Sequence, residues 1–407
     1  MALHSAIAPI VSREEMLRAT SVLAVLIVVC DLARSASVRM ALWIGSAVAG
    51  CSIALLGIGQ RFNLFTDSLR EMRGDEGTPF ATFNYHGNAG SFLNLILPAV
   101  FGLTFIAWRK KKSPWLRSVL ALAFLLVLVA AVVNVSRGAI AITVLMLAAI
   151  ALWVARGFAC GGVAFPWRSV LAKAAFCAMA LVLVSHFANG GTSLQRWKQT
   201  VKHPSGEASR LMVWGITAPM AAEAGPFGNG PGTFKVLLPK SPRLGPGFYG
   251  KWILQTHEPG GRISMWSQAH EDYLQTIVEW GWLGGAAWGL VLFGGLARLI
   301  QSRKKEREWR SDTDRTMRFV TGISLAGVCV HAAFDFPFQA FPIQVHVAMW
   351  LGLAWSSPEW EPSSPGPRSP AGDPAEGADS PPAETPIAGE QAGDDPATPT
   401  ATPRDIS

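Results

Sequence analysis

Charge is what this chain has least of. Only 15% of its 407 residues are Asp, Glu, Lys or Arg, against about a quarter in an ordinary soluble chain. Ser118–Val133 and Ile140–Val154 hold no charged residue at all. With their flanks these windows reach the roughly 20 residues that a bilayer-crossing helix needs. The shortage excludes a soluble globular domain and points to a polytopic membrane protein.

Cysteine is scarce where it would matter. Cys30, Cys51, Cys177 and Cys329 fall in apolar runs and Cys160 in a short loop, with none in the polar stretch from Asn189 to Glu279. A disulfide framework and a cysteine-based metal site are both excluded there. His270-Glu271 opens like a zinc-protease helix, but position 274 is leucine where the second histidine must stand. Gly228-Asn229-Gly230-Pro231-Gly232-Thr233 has no lysine after its last glycine, so it reads as a tight turn and not as a phosphate loop. No metal and no cofactor is expected.

The formal net charge of +7 divides unevenly. From Pro358 onward ten acids face Arg368 and Arg404, so the tail carries −8 and the remainder +15. That positive excess sits in short loops between apolar runs, which sets membrane orientation and does not suit a nucleic-acid partner.

What is present is an all-α polytopic pattern of about nine membrane spans: roughly 18–33, 39–59, 90–108, 118–134, 139–155, 169–187, 280–300, 319–336 and 344–356. Residues 1–187 form the N-terminal helices, 188–279 one large extracytoplasmic loop containing short helices, and 280–357 the C-terminal helices. Arg109-Lys110-Lys111-Lys112, then Arg156 with Arg168, then Arg303 through Arg318 mark cytoplasmic loops. The alternation sends residues 60–89, 134–138, 188–279 and 337–343 outward, and the N-terminus with them. No leader with a cleavage site precedes the first span, so either the natural start lies upstream or a helix pair is missing from the architecture. Residues 358–407, with twelve prolines among small and acidic residues, read as a disordered cytoplasmic tail, passive or partner-binding.

Chemistry-bearing residues gather at the outer side. Arg137, in the turn Asn134-Val135-Ser136-Arg137-Gly138, reads either as an interfacial anchor or as an anion clamp. Arg210 starts an amphipathic helix to about Ala224, in a loop with nine Lys and Arg against six acids. Such a surface suits an anionic substrate. His270 is expected to begin a helix running through Glu279, with Tyr273 and Leu274 on its face. Histidine exchanges a proton near neutral pH, as a base acting on a hydroxyl must, although an interfacial hydrogen-bonding role is equally open. His331 and Asp335, four apart at a span end, could pair in a structural or a functional role.

Four stretches together resemble the O-antigen ligase and O-antigen polymerase superfamily of bacterial envelope glycosyltransferases. They are Thr82 to Asn88, Ser136-Arg137-Gly138-Ala139, Arg210 to Trp214 with Gly225 to Phe234, and Ala269 to Gln275 followed by Glu279 and Gly281. The resemblance covers roughly residues 15–355. It implies an inner-membrane, metal-independent glycosyltransferase with a periplasmic loop. Such an enzyme moves glycan from an undecaprenyl-diphosphate carrier to a glycan or lipid-core acceptor. It further implies Arg137 and Arg210 as the grip on the diphosphate and His270 as the group activating the acceptor. Asn88, Tyr273, His331 and Asp335 join the expected substrate-binding set. Two features depart from the family pattern: fewer spans than usual, and Glu271 where asparagine commonly follows the histidine. Ligation, repeat-unit polymerisation and transfer to protein all fit. The rival classes are a polysaccharide or lipid transporter and a membrane-anchored binding protein.

Overall fold

Helices dominate because apolar runs of this length have no other way to satisfy their backbone in lipid. The structure, a computed structural model, describes residues 7–62, 64, 79–160, 205–241, 267–305 and 312–360. Contacts separate Met1–Gly366 from Pro367–Ser407, and the second unit lies outside the described residues. The main helices are α1 (Pro9–Leu32), α2 (Ala36–Arg61), α3 (His86–Arg109), α4 (Pro114–Val133) and α5 (Arg137–Cys160). They continue with α6 (Ser205–Glu223), the single turn α7 (Phe234–Leu237), α8 (Asp272–Lys305), α9 (Asp312–Ala332) and α10 (Phe341–Ser356).

Eight of the nine expected spans coincide with a described helix, and the ninth, 169–187, lies outside the described residues. Among the described residues five helices are long and apolar enough to cross a membrane: α2, α3, α4, α5 and α8. The other three miss for separate reasons. The first, α1, carries Arg13, Glu14, Glu15, Arg18 and Asp31. In α9 the helix starts Asp-Thr-Asp-Arg and buries Thr316, Arg318, Thr321 and Ser324. Last, α10 has 16 residues, about 24 Å at 1.5 Å per residue and short of a ~30 Å hydrocarbon layer.

The centre is α3, buried on nearly every side from Gly87 to Val100 and packed by α2, α4, α5, α9 and α10. The peripheral spans expose large apolar side chains instead: Leu122 and Leu125 on α4, Val144, Leu145 and Leu152 on α5, Leu283, Leu290 and Phe293 on α8. Apolar surface on that scale belongs against lipid, not water.

Among the described residues, buried charge gathers at the two ends of this bundle. At one end Arg39 of α2, fully buried, reaches Asp314 of α9 at 3.1 Å and stacks its guanidinium 4.6 Å above the Trp360 ring. Arg318 lies over the other contact of that ring at 5.2 Å and donates to the Ser357 carbonyl. Ordered chain therefore extends past the expected tail boundary at Pro358, because Trp360 is a large aromatic with two cations to cover. His331 stands 17 residues beyond Asp314 on the same helix, roughly 25 Å along its axis, so the second cluster, described below, occupies the opposite end.

A break in α8 carries the chain from that second cluster into the apolar part of the helix. Gly281 adopts φ 73° and ψ −177°, a region open essentially to glycine alone. Its kink frees backbone groups, and the glycine-rich loop takes them up. Asn229 and Gly230 donate their N–H groups to the Val278 and Glu279 carbonyls, while Trp282 and Leu283 donate to the Gly225 and Pro226 carbonyls. The Glu279 carboxylate closes the junction by accepting from the N–H groups of Gly232 (2.9 Å) and Phe234 (3.2 Å). The turn expected at Gly228–Thr233 is thus a clasp around a broken helix. A Cβ on Gly281 would stand 2.3 Å from the Gly228 nitrogen, which is backbone and cannot step aside. Gly281→Ala is expected to lower the thermal unfolding midpoint in detergent, since the φ/ψ region alone costs about 1–3 kcal/mol. An unchanged midpoint would show that the clasp is dispensable.

Candidate active site

The second cluster is assembled by four chain segments that meet at the N-terminal end of α3. The first is the entry to α3. Tyr85 precedes the helix, and Ser91, Asn94 and Gly90 face inward from its first turns. The second is the start of α5. Asn134 donates to the His86 carbonyl (2.7 Å), and Asn94 donates to the Ala139 carbonyl (2.8 Å) while accepting from Thr143 (2.6 Å). These bonds pin the Ser136-Arg137-Gly138 turn against α3, and Val135 pays for the tight entry with φ 66°, rare for a β-branched residue.

The third segment leads into α8. The helix starts at Asp272 and not at His270, which corrects the expected boundary. Glu271 caps the helix by accepting from the Leu274 N–H (2.5 Å), and burial raises its carboxyl above the usual value. An asparagine or a glutamate can meet that need, which accounts physically for the departure at this position. With the cap at 271, His270 lies outside the helix at φ 53°, and its carbonyl accepts from Trp214 of α6 (3.0 Å). The imidazole consequently does not share a face with Tyr273. That tyrosine points away, donating to the Cys329 carbonyl at 2.7 Å.

The fourth segment follows α9. Asp335 is the hub of the cluster, 3% exposed. Its Oδ1 lies 3.2 Å from His270 Nδ1 and accepts from the Phe336 N–H at 3.1 Å. Its Oδ2 accepts from the Tyr85 hydroxyl at 3.4 Å and stands 3.9 Å from Arg210 Nη2. His331 Nε2 is 3.7 Å from the same oxygen, an ion-pair distance rather than a hydrogen bond. Burial pushes the Asp335 carboxyl up, but His270, His331 and Arg210 around it outweigh burial and hold it well below the usual range. For Tyr85, burial and the Asp335 charge both push the phenol up, so it stays a neutral donor.

Arg210 of α6 spans the gap between segments. Nη1 donates to the Phe334 carbonyl (3.2 Å) and Nη2 to the Tyr85 hydroxyl (3.1 Å), with the side chain 30% exposed. Aromatic rings wall the cluster: Phe336 stacks on Tyr85 with centroids 5.0 Å apart and meets His270 edge-on at 4.6 Å. Below, Asp272 ties the following turn in place by accepting from the Phe338 N–H (2.7 Å) and Gln339 (3.0 Å).

Of the expected site residues, Arg210, His270, His331 and Asp335 therefore converge directly. Arg137 stands beside them, since a Cβ on its neighbour Gly138 would lie 2.9 Å from the Phe334 ring and 3.5 Å from His331 Nε2. Its side chain is half-buried and makes no hydrogen bond or ion pair among the described residues. Asn88 is buried nearby in the first turn of α3, with its Oδ1 unpartnered. Tyr273 does not join. Sequence reasoning missed Tyr85, Ser91 and Phe336, although Tyr85 lies within a stretch that carried the family resemblance. Residue type and spacing offered no sign that these three would touch residues some 240 positions away.

Comparison with curated proteins and with solved structures finds no match. Residues 122–289 match the family model described as O-Antigen ligase. That stretch contains Arg137, Arg210 and His270, while Tyr85, Ser91, His331 and Asp335 come from outside it. The matched segment supports, over those residues, the resemblance to the O-antigen ligase and polymerase superfamily.

Proposed function

We propose that the chain is a glycosyltransferase of the inner membrane. It would transfer an oligosaccharide or polysaccharide from an undecaprenyl-diphosphate carrier to an acceptor hydroxyl at the periplasmic face. One observation carries the reading: a single buried carboxylate, Asp335, lies 3.2 Å from His270 Nδ1 and 3.9 Å from Arg210 Nη2. His270 Nδ1 faces Asp335, so its Nε2 is the nitrogen that would take the proton from the acceptor hydroxyl. The acceptor oxygen then forms a bond to the anomeric carbon as the bond from that carbon to the diphosphate oxygen breaks. The electron pair leaves with the lipid diphosphate, an already good leaving group that Arg137 and Arg210 would hold. Guanidinium suits that task because it pairs bidentately with phosphate oxygens.

Asp335 supports the reading in a role narrower than substrate contact. Its two oxygens already face His270, Phe336, Tyr85, Arg210 and His331. The carboxylate orients the imidazole and balances the imidazolium that forms, as in other base–carboxylate pairs. The step runs through side chains alone. Ligation to a lipid core and addition of a further repeat unit use the same chemistry and differ in the acceptor.

The test is product stoichiometry in proteoliposomes. The purified protein is given lipid-diphosphate-linked glycan and acceptor-bearing lipid extracted from a deletion strain. One lipid diphosphate released per glycan transferred is the expected result. Movement of intact glycan-lipid across the bilayer with no release would replace the transferase reading with transport.

A further inference from the structure

Behind the Asp335–His270 pair lies a second histidine that the proposed reaction does not use. His331, in the last turn of α9, is 1% exposed, and its Nδ1 makes a short hydrogen bond with Ser91 Oγ, equally buried on α3. The bond fixes the ring's rotation. With Ser91 donating to Nδ1, the imidazole carries its hydrogen on Nε2. That atom is buried, has no hydrogen-bond partner, and points at Asp335 Oδ2 from 3.7 Å.

The surroundings are cut to this arrangement. Gly138 leaves room for the His331 ring: a Cβ there would sit 3.5 Å from Nε2. Gly87 leaves room for the carboxylate: its Cβ would stand 2.6 Å from Asp335 Oδ2. The Asp335 N–H also donates to the His331 carbonyl (3.0 Å), so the two residues move as one unit. The groups facing the carboxylate are thus His331 from α9, Tyr85 from the entry to α3, Arg210 from α6 and His270 before α8. Of these four, His331 is the one that is fully buried.

We infer that His331, aimed by Ser91, is a positioning residue that anchors Oδ2 of Asp335 and so presents Oδ1 to His270. The inference rests on His270 as the acceptor-activating base. Nε2 stands 3.7 Å from Oδ2, close enough for its hydrogen to attract the carboxylate oxygen and hold its orientation.

The experiment separates the two imidazole nitrogens. A glutamine at this position offers an amide N–H where Nε2 was, whereas an asparagine offers one only where Nδ1 was. Transfer is measured in membranes supplied with extracted lipid-diphosphate-linked glycan, at matched protein level and with the unfolding midpoint checked. His331→Asn and Ser91→Ala are expected to lower kcat by roughly 10- to 100-fold, the range for loss of an outer partner to an active histidine, with the donor KM unchanged. His331→Gln, which keeps a donor at the Nε2 position but loses the Ser91 contact, is expected to retain clearly more kcat than His331→Asn. Should His331→Asn fail to accumulate, Ser91→Ala, the smaller change, decides alone. Wild-type kcat in folded Ser91→Ala or His331→Asn, or equal loss in folded Asn and Gln variants, overturns the positioning role. His270→Ala in the same assay keeps the two readings distinct: wild-type activity there removes the base itself, whatever the His331 variants do.

Discussion

His270→Ala is expected to lower glycan transfer by about 10²- to 10⁴-fold, the usual contribution of a positioned general base. The fold should survive. The side chain is 16% exposed, sits outside α8 and meets Asp335 and the edges of Tyr85 and Phe336. What holds this segment is the carbonyl of residue 270 on Trp214 and the Glu271 cap, and both remain. The loss should therefore fall on kcat with the donor KM little changed, because the base acts on the acceptor and not on the diphosphate. The measurement is the initial rate of lipid-diphosphate release at matched membrane level, with the surface-glycan profile of a complemented deletion strain as the cellular counterpart. A normal rate and profile would end the case for His270 as the base.

Removing the arginines should cost nearly as much by a different route. Arg210→Ala is expected to reduce transfer by about 10²- to 10³-fold, the scale for losing one donor to a developing charge in a water-poor site. Arg210→Lys should not recover it. A single ammonium cannot span the Phe334 carbonyl and the Tyr85 hydroxyl, 3.2 and 3.1 Å from separate guanidinium nitrogens, and still face a phosphate. Because Arg210 also braces protein groups, its loss mixes chemistry with structure, and Arg137 separates them. With no hydrogen bond or ion pair among the described residues, Arg137→Ala should leave the unfolding midpoint unchanged and still weaken both donor binding and transfer. Binding is read with the radiolabelled glycan-lipid. Wild-type affinity and rate in Arg137→Ala would remove the diphosphate clamp from the proposal.

Much of this site could be read from the chain before any coordinates, and the reason is physical. An arginine or histidine beside a membrane-length apolar run is expensive, so its presence is a signal. Arg137 and the His331–Asp335 pair stood out on that ground, His270 as a group that exchanges a proton near neutral pH, and Arg210 through the basic loop and the family resemblance. Tyr85, Ser91 and Phe336 did not, because tyrosine, serine and phenylalanine near span ends are ordinary. Spacing also misled at one point. Helical periodicity assigned His270 to a helical face, whereas one side-chain cap at Glu271 starts the helix two residues later and leaves the ring facing Asp335.

By itself, the sequence determined the solvent this protein lives in, the approximate run of its helices and the residue types available for chemistry. Those follow from hydropathy and composition, which are local sums. Only the tertiary structure decided that Asp335 faces His270 across 65 positions and that Ser91 bonds His331 across 240. It alone showed that a glycine loop clasps a helix broken at Gly281. Such contacts depend on which faces the packed helices present around α3, and on where a few unfavourable backbone conformations are held in place by neighbours distant in sequence.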